Sequence, residues 1–183
     1  MKIKIITAVP SDAAVISSIG RQSFRDAFAH LFDDKEVLQE YLDYTYDADK
    51  IAKSIRKENN VFFLAFVENV AVGFAKAKRH SLNEQIDSIA QMELQKLYVL
   101  TYYHGSGAGD ALIQRVLDLA NEIRPDFLWL DTHVTNAKAI RFYEKKGFAI
   151  VGKHHFVIGE QTFDYYLMSL PIAVTANEIH FAS

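Results

Sequence analysis

The sequence predicts a single α/β domain, with a mixed central sheet of about seven strands flanked by about five helices. Three observations carry that expectation. β-branched and aromatic runs of strand length alternate with segments whose apolar residues recur at helical spacing. Half of the 183 residues are apolar and 13% are aromatic, enough for one core that buries roughly 70% of the surface exposed by the unfolded chain. No repeat, low-complexity tract or linker divides residues 1–170, and residues 171–183 read as a loosely held tail.

Residues 2–9 alternate and are rich in Ile, so they read as a first strand ended by Pro10. Ser11 or Asp12 is placed to cap a helix reaching about Phe28. Its apolar face is Val15, Ile16, Ile19, Phe24, Ala27 and Phe28. Residues 34–46 and 47–58 read as two further helices, the second capped by Asp47. Residues 61–68 and 70–80 form a hairpin turning near Asn69, and a polar loop follows over 81–91. A strand over 92–100 leads into a glycine-rich turn, a helix over 107–124 and a stop at Pro125. Strand 127–133, helix 136–146 closed by Gly147, and a hairpin of 148–158 with 162–170 turning at Gly159-Glu160 complete the chain.

Composition excludes several classes of function. With 20 basic against 23 acidic residues and a formal charge of -3, there is no basic footprint for nucleic acid. The apolar runs fall far short of the ~20 residues of a membrane span, and no leader opens the sequence, so a cytoplasmic protein is expected. The absence of cysteine removes disulfides, thiolate zinc sites and a cysteine nucleophile, and no metal is expected. Asp33, Asp34, Glu36, Glu40, Asp43, Asp47 and Asp49 cluster, which biases the local potential toward cationic partners. Such a run is more often a solvated helix face. Homodimer formation is one assembly the sequence leaves open.

The chemistry-bearing segment is His104-Gly105-Ser106-Gly107-Ala108-Gly109 between a strand and a helix. Glycines there let backbone approach an anion, while amides and the helix dipole favour its charge. The spacing fits neither a dinucleotide fingerprint nor a Walker loop. Instead, His104, Gly107 and Gly109 resemble the Arg/Gln-x-x-Gly-x-Gly/Ala motif of GCN5-related N-acetyltransferases, with histidine in the first position. Downstream, Asn136-Ala137-Lys138-Ala139-Ile140-Arg141-Phe142-Tyr143-Glu144-Lys145-Lys146-Gly147-Phe148 resembles that family's N-x-x-A-x-x-F-Y-x-x-x-G-F segment. Ser23-Phe24-x-x-Ala27-Phe28 and Gly152-x-His154-x-Phe156-x-x-Gly159 are similar to the PaiA-type polyamine acetyltransferases.

The resemblance implies acetyl transfer from acetyl-CoA to an amine, with spermidine or spermine favoured as acceptor. A protein lysine, an N-terminal amine, an antibiotic amine and a non-catalytic coenzyme-binding regulator are the alternatives. It implies that Leu97, Tyr98 and Val99 hold the pantetheine between splayed strands, and that the amides of Gly105, Ser106, Gly107, Ala108, Gly109 and Asp110 cradle the pyrophosphate. His104 would contact phosphate, Asn136 the pantetheine and Lys145 the nucleotide end. An alkylamine of pKa about 10.4 must lose a proton to attack at pH 7, and Glu93 is the expected base, with Asp131, His133 and His154 in reserve. Tyr143 is the expected proton donor to the departing thiolate, and the Val99 amide the expected oxyanion donor.

Overall fold

Strand-forming and helix-forming segments fold in the predicted order. The computed structural model describes residues 1–172. Its strands are β1 (Ile3–Thr7), β2 (Asn60–Val67), β3 (Val70–Lys78), β4 (Gln91–Val99), β5 (Phe127–His133), β6 (Ala149–Ile158) and β7 (Gln161–Pro171). The α-helices are α1 (Ala13–Phe28), α2 (Lys35–Thr45), α3 (Ala48–Ile55), α4 (Ala108–Ile123) and α5 (Ala137–Glu144). All seven strands form one sheet in the order β1-β2-β3-β4-β5-β7-β6. Its neighbours are antiparallel except β4 and β5, which are parallel. Among the described residues no helix is long and apolar enough to cross a membrane. Most of the predicted 171–183 tail lies outside the described residues.

Local chemistry explains most element ends. Glu68 and Asn69 both take positive φ in the β2–β3 turn, the conformation that matches hairpin twist. Asp34 and Asp47 cap α2 and α3 by accepting the N–H groups of Glu36 and Lys50. One predicted cap is corrected: Asp12 accepts the Val9 N–H at 2.8 Å, and α1 starts without a side-chain cap. The reason is a 3-10 turn at Pro10–Asp12, which uses the carboxylate one step early. The polar 81–91 loop is tied down by Gln91, whose amide donates to the carbonyls of Asn83, Ile86 and Ser88.

The sheet separates two cores. On one side α4 and α5 cover Met92, Leu94, Leu112, Val116, Leu128 and Leu130. On the other, α1, α2 and α3 cover Ile16, Leu42, Tyr46, Phe62, Leu64 and Phe74. A bulge on β4 decides which residues reach which side. Lys76 pairs with Lys96 but Ala77 pairs with Leu94, so Gln95 is an extra, exposed residue. Strict alternation would send Leu97 away from Leu94; the bulge keeps Leu97 and Val99 with the α4 core and turns Lys96 and Tyr98 to the α1 side.

Ser17, Gly20 and Ser23 are buried along α1 beside the predicted apolar residues. A Cβ added at Gly20 would lie 2.4 Å from two ring atoms of Tyr46, which is 1% exposed. In an open helix, alanine is better than glycine by ~1 kcal/mol, whereas overpacking a core costs about 1–3 kcal/mol. The clash should win, so Gly20→Ala is expected to destabilise the fold in urea unfolding. Equal or higher stability would show that the Tyr46 ring can retreat.

Candidate active site

The parallel register of β4 and β5 covers only Gln91–Glu93 against Phe127–Trp129. Beyond it the strands part, and a cleft of about 590 Å³ opens at the C-terminal half of β4. Leu100 N–H donates to Val72 O on β3 at 2.8 Å, so alternation turns the amides of Leu97 and Val99 away from β3, toward the cleft. These backbone groups have no neighbouring strand to satisfy them, which suits an extended polar ligand.

The glycine turn closes one end of the cleft. Gly107 is left-handed at φ 91° and precedes α4 without providing a side-chain cap. Ser106 Oγ offers a 3.3 Å contact to Ala108 N–H, leaving the start of α4 without strong side-chain partners. Gly109 is different: a Cβ there would meet only Phe142 and Val99 atoms at 4.0 Å. The fold itself tolerates a side chain at 109, so the bare backbone keeps the helix start open to a ligand. This cradle of uncapped amides fits a pyrophosphate.

Both nitrogens of His104 are engaged. Lys138 Nζ lies 2.9 Å from Nδ1 and Val99 O lies 2.9 Å from Nε2. An ammonium can only donate and a carbonyl can only accept, so this arrangement assigns the neutral ring with its proton on Nε2. His104 therefore braces the turn, and the cation at this position is Lys138, which lines the cleft. Sequence reasoning missed Lys138. Its signal was its place in the Asn136 segment, two residues after that helix's cap. Asp110, whose negative charge would repel a phosphate, is held by Lys146.

Of the residues expected from sequence, Leu97, Tyr98, Val99, His104, Gly105, Gly107, Gly109, Asp110, Asn136 and Tyr143 line the cleft. Ser106, Ala108, Lys145 and Glu93 do not line it. Asn136 caps α5 through its carbonyl oxygen, which accepts Ala139 N–H at 3.1 Å. Its cap role and its place on the cleft wall are compatible, because the amide NH₂ remains. Tyr143 is 8% exposed, and burial pushes its phenol well above its ordinary pKa. It stays protonated and can donate a hydrogen bond. Ser23 Oγ also lines the cleft, is buried, and has no hydrogen-bond partner among the described residues.

Glu93 sits on the α1 side of the sheet, 9% exposed. It accepts a 2.7 Å hydrogen bond from Ser81 and lies 3.8 Å from Lys78 Nζ. On the same side His154 Nε2 is 2.6 Å from Asp131 Oδ1. Burial raises the Asp131 carboxyl above its usual range, against the opposing pull of His154. Around this pair runs an aromatic wall: Phe156 stacks edge-on to His154 and Tyr165, and Tyr165 to His133. Burial lowers the His133 imidazole, which Thr135 engages through its hydroxyl at 2.8 Å.

The acidic cluster lies outside the cleft, as a solvated helix face would. None of Asp33, Asp34, Glu36, Glu40, Asp43, Asp47 and Asp49 lines the cleft. Asp34 and Asp47 are helix caps, and Asp43 pairs with Arg21, which holds its carboxyl below the usual range. Their positions follow from helix starts and ion pairing.

Lys138→Ala should weaken coenzyme A binding by about tenfold or more, the scale of one lost charge-assisted contact. Calorimetric titration would read it directly. An unchanged affinity would return anion binding to the backbone amides alone.

Comparison with known proteins matches this geometry to one family. The model of the acetyltransferase (GNAT) family matches residues 22–148. An uncharacterised N-acetyltransferase of Lactobacillus delbrueckii subsp. lactis is 24% identical over 159 residues, covering 86% of this chain and 91% of that protein. One of Mycobacterium tuberculosis is 30% identical over 133 residues, covering 73% of this chain and 81% of its own. The crystal structure of PaiA N-acetyltransferase from Thermoplasma acidophilum with coenzyme A aligns with a TM-score of 0.75 at 19% identity, covering 94% of this chain and 100% of that one. The chain belongs to the GNAT family and is an N-acetyltransferase.

Proposed function

We propose that the protein acetylates a primary amine of a small polycation, with spermidine and spermine as the preferred acceptors. The observation that carries this reading is the two-sided site. The uncapped α4 start and the open β4 edge lie where the coenzyme would enter, while the buried Glu93, the half-buried Asp131 and an aromatic wall lie across the sheet. Carboxylates and aromatic faces both attract cationic amines.

In this reading the α4 amides and Lys138 hold the coenzyme's phosphates, and Leu97, Val99 and Asn136 hold its pantetheine. The coenzyme supplies the acetyl thioester. Glu93 takes the proton of the attacking ammonium, directly or through water, and the Val99 amide faces the developing negative charge. A single donor of that kind contributes about 3 kcal/mol. Tyr143 faces the departing sulfur. Because its phenol is harder to deprotonate than a thiol of pKa about 8.5, full transfer runs uphill, and Tyr143 acts as a hydrogen-bond donor.

Two measurements test the reading. In a panel of acceptors with acetyl-CoA, spermidine and spermine should have the highest kcat/KM; faster turnover of lysine peptides, N-terminal amines or antibiotic amines would replace the acceptor assignment. Tyr143→Phe should lower kcat with little change in coenzyme affinity, whereas Glu93→Gln should lose most rate near pH 7 and recover partly at high pH, where free amine accumulates. A loss uniform across pH would make Glu93 a positioning residue.

A further inference from the structure

A second cavity, of about 70 Å³, lies between α1, α3 and strands β2 to β4. Lys76 and Lys96 line it together with Thr45, Ser54, Tyr46 and Phe62. The two lysines are direct cross-strand partners, a placement that is unfavourable for like charges. Only the Gln95 bulge brings them to the same face. The Lys76 ammonium is 5.5 Å from the Phe62 ring centroid and the Lys96 ammonium 5.4 Å from that of Tyr46, so both heads face rings of the cavity wall.

Neither ammonium has an ion-pair partner among the described residues, although the nearest carboxylate would be the obvious one. Glu93 is bound instead by Ser81 and Lys78. Among the described residues no acidic side chain lines the cavity. Lys50, the third lysine there, donates to Tyr44 O at 3.4 Å and rests on the Tyr44 ring. The Ser54 hydroxyl accepts from Asn60, which leaves its own proton free to donate. Two unpaired cations and a hydroxyl donor thus surround a space that suits a small oxyanion.

We propose that this cavity binds a small oxyanion, a phosphate or a short carboxylate, between the ammonium groups of Lys76 and Lys96. An anion there relieves the repulsion across β3 and β4 and supplies the missing partner to both heads. The site is separate from the coenzyme cleft, whose lining shares no residue with it. The electrostatics of the pair agree with the geometry: burial first, then the neighbouring Lys96 charge, lowers Lys76 to about 8. Burial likewise lowers Lys96 to about 8 against the pull of Glu93. Both are mostly protonated at pH 7 and lose their charge as the pH rises through 8. The other charged groups acting on the pair are Lys50, Lys57, Lys78 and Glu93.

The test is a titration of the ¹⁵N-labelled full chain with sulfate at pH 7, with ionic strength held constant by chloride. Saturable shifts are expected at the amides of Thr45, Ser54, Lys76 and Lys96, with a binding curve distinct from any at Gly107 to Asp110. Lys76→Met and Lys96→Met should each weaken the first curve by about tenfold or more, the scale of one lost charge-assisted contact. Sulfate keeps its charge, so in the unmutated protein the affinity should also fall between pH 7 and 9, which requires no variant to fold. Acetate in a parallel titration separates the two chemistries: a curve with sulfate alone assigns a tetrahedral anion, and one with acetate alone a carboxylate. Absence of saturation with both anions, or a sulfate curve unchanged by both substitutions and by pH, overturns the proposal.

Discussion

The structure depends on the parting of β4 and β5 after three parallel pairs. In a closed sheet the Leu97 and Val99 amides would be spent on a neighbouring strand, and no cleft would exist. Two features keep the strands apart. The Gln95 bulge bends β4 away from regular pairing, and the antiparallel β7 continues to pair with β5 as far as His133, so β5 remains ordered without β4. The glycine turn and α4 then follow directly from the freed end of β4, which is why the uncapped helix start and the freed backbone share one cavity.

Charge is distributed to match the two sides of that opening. Near the start of α4, Lys146 neutralises Asp110, while Lys138 bears on His104 and adds a cation where phosphates would lie. Across the sheet, the buried Glu93 and the half-buried Asp131 each have a polar partner, and the surrounding wall is aromatic. A cationic acceptor and an anionic coenzyme would therefore meet opposite potentials on opposite faces. The proposed placement of donor and acceptor follows from that separation, not from the acidic helices, where Asp34 and Asp47 serve as caps and Asp43 as a partner to Arg21.

What could be read from sequence was what is local. The turn near Asn69 and the Asp47 cap each rest on one residue's conformational or hydrogen-bonding habit, and each stands where expected. The elements of the sheet were legible for the same reason. Pairing was not. That both nitrogens of His104 are occupied depends on Lys138, 34 positions away, and the repulsive Lys76–Lys96 pair depends on a register across two strands. Asp12 was misread because a capping residue looks the same whether it serves the helix or the turn before it.

The position of the bulge ties the two faces together. If β4 alternated strictly through Gln95, without the bulge, Lys96 and Tyr98 would turn into the α4 core, and Leu97 and Val99 would face α1. An ammonium buried among Leu112, Val116 and Leu128 would find no polar partner in that cluster, a cost far larger than that of one exposed glutamine. The cleft would lose the apolar side chains of Leu97 and Val99 from its α4 wall at the same time. One bulge, which keeps Gln95 out of the alternation, therefore sets the facing of both the cleft residues and the lysine pair.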